Sequence, residues 1–229
     1  MLGGAPLELR VNGRARRLRL RVDSRTGGLI LTVPAGISKR RALAWAATHE
    51  EWAGRAVRSL PDRAGIGPAG VVPLFGRAHL VDWDPSRPRR IVRDGDRLVA
   101  GGPIEGLERR LLLWLRREAL ALLAVETQEF AAMLGRRVDR VSVGDPRSRW
   151  GSCSSSGAIR YSWRLILAPD FVRRATVAHE VAHLEHMDHG ARFHALVERL
   201  LGEDPRPARL WLRNEGAALH RIGGALRSG

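Results

Sequence analysis

Cysteine and lysine are almost missing from this chain: Cys153 and Lys39 are the sole residues of their kinds among 229. A single cysteine rules out an internal disulfide, so the fold has to rest on its core, which suits a reducing compartment. No run approaches the roughly 18 to 20 uninterrupted apolar residues of a membrane-spanning helix. The opening MLGGAPLELRVNG lacks the basic-then-apolar order of a secretory signal. A cytoplasmic location with no membrane association is the resulting expectation. Also missing are an internal repeat, a low-complexity tail and a glycine-rich phosphate loop.

What is present is the composition of an ordinary folded protein, 44% hydrophobic and 28% charged. The formal net charge is +15, which by itself points to a polyanion such as nucleic acid as a partner through a basic surface. The basic residues are nearly all arginine and are scattered from Arg10 to Arg227. A dispersed, solvated basic surface is the plainer reading of that pattern.

The chain reads as α+β: a β-rich N-terminal region with one helix over residues 1–100, then a helical and mixed-sheet domain over 101–229. Leu7 to Val11, Leu18 to Val22 and Leu29 to Val33 alternate like strands, with turn signals at Asn12-Gly13 and Ser24 to Gly28, and suggest a three-stranded antiparallel element. Ser38 is placed to cap one helix running to about Leu60, with Leu43, Ala46, Ala53 and Val57 along one side. The Pro/Gly-rich segment 61–70 reads as a linker. Further strands are expected near Val71 to Phe75, His79 to Asp82, Arg90 to Val92 and Arg97 to Val99. A leucine-rich helix is expected over Ile104 to Leu134, with Leu107, Leu111, Trp114, Leu115, Leu122 and Val125 on its apolar face. Strands then resume at Val138 to Val143 and at Ile159 to Leu167. Asp170 is a suitable cap for a helix ending near Met187, and two more helices are expected, around Phe193 to Leu201 and Arg206 to Leu219.

The decisive stretch lies in that capped helix: His179-Glu180-Val181-Ala182-His183, an H-E-x-x-H sequence. Histidines four residues apart on a helix stand one turn apart on one face, so both reach a single ion. Glu180 sits beside them, able to take a proton from a water on the metal instead of ligating. Zinc accepts neutral imidazole and keeps an open position in catalytic sites. The third ligand has three candidates. His186 would share the face if the helix ran on, but three imidazoles on successive turns of a straight rod converge poorly, the outer two lying roughly 10 Å apart along the axis. His189 requires the chain to turn back, for which Gly190 offers flexible backbone. His194 is the third candidate and reads more simply as a helix-surface residue.

The run RWGSCSSSGAIRYSWRLILAPDFVRRATVAHEVAHLEHMDHGARFHALV, Arg149 to Val197, resembles the signature of the YgjP-like metallopeptidase family, a relative of the SprT-like and WLM zincins. In that pattern R-W-G-S-C precedes a strand, then a helix with H-E-x-x-H, then a third histidine after five intervening residues. The resemblance implies His179, His183 and His189 as zinc ligands and Glu180 as the base. Two positions depart from it: the family commonly carries asparagine where this chain has Ser162, and an aromatic residue where it has His194. Metzincins share the spacing to the third histidine but place glycine where His186 stands, so the chain is not grouped with them.

The expected function is a zinc-dependent hydrolase acting on a peptide or protein through a zinc-bound water activated by Glu180. The alternatives are a UTP pyrophosphohydrolase, a label that some members of the similar family carry, and a DNA-associated SprT-like protease recruited by the basic surface. Tyr161 and Arg192 are candidate oxyanion donors, each more simply structural. The strand beside Trp150 to Cys153 could pair with an extended peptide. The plain reading makes Trp150 and Trp163 core aromatics and Cys153 a small buried residue, a zinc thiolate being the sharper alternative.

Overall fold

The computed structural model describes residues 1–23, 27–58, 66–146 and 148–223. Within them the chain is α+β, with three mixed sheets and six α-helices. Contacts gather the described residues into two compact units, one within 1–58 together with 220–223, the other within 66–219. The β-rich stretch expected over 1–100 is thus shared between the two. Of the expected linker, residues 61–65 lie outside those described, as do 24–26 of the expected turn.

In the first unit β1 (Leu7–Asn12), β2 (Arg19–Asp23) and β3 (Gly28–Pro34) form a sheet in the order β1-β3-β2. The expected all-antiparallel element is not what forms: β1 runs parallel to β3, and only β2 is antiparallel to it. The sequence GLILTVP is apolar on both faces, so β3 takes the centre, while the arginine-bearing LELRVN and RLRVD stay at the edges where charged side chains reach water. Ser38 does cap a helix, its Oγ accepting the Arg41 N–H at 3.3 Å. One expected helix is in fact two, α1 (Lys39–Ala47) and α2 (Glu50–Arg58). Between them Thr48 Oγ1 donates to the Trp45 carbonyl at 2.7 Å and competes with the helical ladder. Ala42, Ala46 and Ala53 join Leu29, Leu31 and Val33 in the core, whereas Leu43 faces out.

The second unit opens with β4 (Val71–Leu74), β5 (Arg77–Asp84), β6 (Ile91–Asp94) and β7 (Arg97–Gly101), paired in the order β4-β5-β7-β6. Then α3 (Leu107–Met133) runs unbroken for 27 residues, burying Leu107, Leu111, Leu115, Leu123 and Phe130 along one stripe while Val125 lies exposed. A third sheet, ordered β8-β10-β9, comprises β8 (Arg140–Gly144), β9 (Gly151–Cys153) and β10 (Ala158–Ser162). The strand expected to reach Leu167 stops at Ser162, whose Oγ accepts the Arg164 N–H and starts a 3₁₀ turn over Trp163–Leu167.

Helix α4 (Asp170–Ala182) carries the motif and packs against α3, β9 and α5 (Ala191–Leu201); α6 (Arg206–Arg221) ends the fold. Pro169, and not Asp170, is the N-cap of α4. The Asp170 carboxylate sits in the first turn and accepts from Arg173 Nη1 at 2.7 Å. Arg173 itself is buried, and its Nε and Nη2 fork onto Glu126 of α3 at 3.0 and 2.9 Å. This charge-assisted pair joins the two helices, with its desolvation cost offset by several hydrogen bonds.

Candidate metal centre

Helix α4 ends earlier than its sequence suggests. His183 is already the C-cap, and Leu184, Glu185 and His186 close tight turns back onto Val181 and Ala182. The chain can therefore reverse before His189. The reversal does not draw on glycine freedom, because Gly190 has φ −72°, which any residue adopts. Instead the Asp188 carboxylate accepts the Gly190 N–H at 3.1 Å and sets the start of α5.

The consequence is a cluster. His179, His183 and His189 each offer a ring nitrogen, and these atoms lie within 4.8 Å of one another. His179 Nε2 and His189 Nε2 are 3.3 Å apart, close to the separation of about 3.3 Å for two nitrogens bound to one tetrahedral zinc. His183 Nδ1 is 2.9 Å from the His186 carbonyl. A carbonyl only accepts, so the proton sits on Nδ1 and leaves Nε2 with a free lone pair, as a metal ligand requires. His186 thus contributes through its backbone, and its ring is not one of the three. Cys153, half-buried with its thiol pushed up by burial, is also outside the group. Burial and the neighbouring His183 pull His179 down to about 4, and His183 is lowered as well. Both rings are therefore neutral at ordinary pH, the form in which imidazole ligates a divalent ion.

Phe193 of α5 forms the floor. Its ring centroid lies 4.8, 4.6 and 4.7 Å from those of His179, His183 and His189, and the side chain is fully buried. In the sequence Phe193 stands out only as the start of a helix; the one available signal is its place one turn past His189.

Glu180 is 5% exposed. Burial pushes its carboxyl up to about 7, against the opposing pull of the Arg149 charge and of the Cys153 N–H, which donates to it. It lies flat on β9, since a β-carbon at Gly151 would come within 2.5 Å of Glu180 Oε1. The glycine of RWGSC is therefore required by the carboxylate beside it. Trp150 is half-buried instead of being a core residue; its indole covers Gly216, where a β-carbon would come within 2.8 Å of Trp150 Cζ2. Trp163 is in the core.

Trp150, Gly151, His179 and Glu180 border a cavity of about 270 Å³, whose remaining wall includes Ala175, Val197, Ala208, Leu212 and His194. Tyr161 does not face it. The phenol is fully buried, raised by that burial, and bonded to Thr127 Oγ1 at 3.0 Å. Arg192 is exposed and does not border the cavity. Ser162 is likewise buried and occupied with the 3₁₀ turn.

Across the described residues no helix is long and apolar enough to cross a membrane. No curated protein and no solved structure matches the chain. A family model does: the YgjP-like metallopeptidase domain matches residues 16–215 and so takes in both the histidine cluster and β9. The chain belongs to the YgjP-like metallopeptidase family.

Proposed function

We propose that this chain is a zinc peptidase in which His179, His183 and His189 hold the ion and Glu180 moves the proton during amide cleavage. The observation that carries the reading is the convergence of three imidazole nitrogens within 4.8 Å, next to a buried carboxylate on the helix that bears His179. Bound zinc supplies Lewis acidity that polarises a carbonyl and makes water acidic near neutral pH. Glu180, pressed against Gly151 and held by the Cys153 N–H, is positioned to take a proton from the attacking water and deliver it to the leaving nitrogen. Strand β9 is at the edge of its sheet, so an extended peptide can add to it alongside Glu180. The cavity of about 270 Å³ beside Glu180 has room for a peptide side chain, and most of its wall is apolar.

Peptide and UTP hydrolysis measured side by side, for wild type and Glu180→Gln, test this. The expected result is peptide cleavage by wild type that falls roughly 10²- to 10⁴-fold in the variant while zinc is retained. UTP hydrolysis alone, abolished in Glu180→Gln, would replace the peptidase with a nucleotide hydrolase. Loss of zinc from the variant would remove Glu180 from the role of base.

A further inference from the structure

The cavity beside Glu180 is apolar over most of its wall, yet two arginines, Arg149 and Arg209, are among the residues that line it. Both residues are exposed, and among the described residues neither forms an ion pair with a carboxylate. Asp204 lies near enough to Arg209 to feel its charge, but its two oxygens are taken by the Arg206 N–H and Nε at 2.8 and 2.7 Å. A mostly apolar recess bordered by two arginines that form no ion pair among the described residues is complementary to a ligand with an apolar body and an anionic end.

We infer that this cavity takes the apolar side chain of a C-terminal residue, while Arg149 and Arg209 hold its free α-carboxylate, so that the chain removes residues from the carboxyl end of peptides. The inference rests on the peptidase reading and names its substrate class. The side of the scissile bond follows from Glu180, which borders the cavity: the group that protonates the leaving nitrogen has to lie next to the residue that leaves. In the step the C–N bond breaks and the hydroxyl of water joins the carbonyl carbon. The proton of that water passes through Glu180 to the departing amine, and no oxidant or reductant is involved. One apolar residue with its carboxylate fits the size of the recess, and two planar guanidiniums suit an oxygen pair better than point charges would.

The test uses the zinc-loaded chain with benzoyl-glycyl-leucine and its C-terminal amide, which differ only in the terminal charge. For wild type, kcat/KM for the acid is expected to exceed that for the amide by about tenfold or more, the scale of a charge-assisted hydrogen bond. Calorimetric binding to Glu180→Gln, which leaves the ligands uncut, should show the same preference, and added salt should narrow it. The Arg149→Gln/Arg209→Gln double variant should bind acid and amide alike. Equal treatment of the pair by wild type and by Glu180→Gln, or a preference that survives in the double variant, overturns the inference and leaves an endopeptidase standing. If Glu180→Gln binds the acid tenfold better but wild type cuts neither ligand, the peptidase reading fails and the selectivity of the pocket is upheld.

Discussion

Gly151 shows how tightly a single residue is specified here. Its missing side chain is the space that Glu180 occupies, and a methyl group added there would lie 2.5 Å from Oε1. Gly151→Ala should displace that carboxylate and lower kcat roughly a hundredfold, the cost of a misplacement near 1 Å. Metal content, which depends on other side chains, should stay unchanged, and paired assays of turnover and bound zinc would check both halves. The pairing of His179 with His183 and the place of Glu180 beside them were legible in the sequence because their spacing states the geometry: four residues on a helix are one turn. Gly151, Phe193 and Trp150 were not, since each acts through a neighbour far away in the chain. His186 was a rival ligand by spacing alone. The early end of α4 at Ala182 leaves the His186 carbonyl, and not its ring, 2.9 Å from His183 Nδ1.

At the scale of elements, α4 is held by the buried fork between Arg173 and Glu126 of α3. Arg173→Met should cost up to about 3 to 5 kcal/mol, because buried Glu126 would keep only its longer, 3.7 Å contact with the half-exposed Arg174. Adding Glu126→Leu should recover most of that loss, and denaturant unfolding of the single and double variants would measure it. If the double variant were as unstable as the single, packing and not the unpaired charge would be the cause. Long periodic elements such as α3 could be read from the chain, as could β4 to β7, whose borders are punctuated by turn residues. Strand pairing could not. The parallel match of β1 to β3 depends on which strand is apolar on both faces, a property of the assembled sheet. The break at Thr48 depends on one hydroxyl choosing a backbone carbonyl, which composition does not reveal.

For the molecule as a whole, an ion held by the histidine cluster would link chemistry to stability. Zinc at about a thousand times its dissociation constant would stabilise the folded chain by about 4 kcal/mol. Removing it with a chelator should therefore lower Tm by roughly 8 to 16 °C in a protein of this size, and differential scanning calorimetry before and after chelation reads the shift directly. An unchanged Tm would mean that the histidine cluster holds no tightly bound ion. The most direct test of the central claim is the metal content of the chain purified without chelator, measured beside His186→Ala and His189→Ala. The account predicts one zinc per chain in wild type and in His186→Ala, and a large loss in His189→Ala. Metal-free wild type, or an equal loss in both variants, would contradict it.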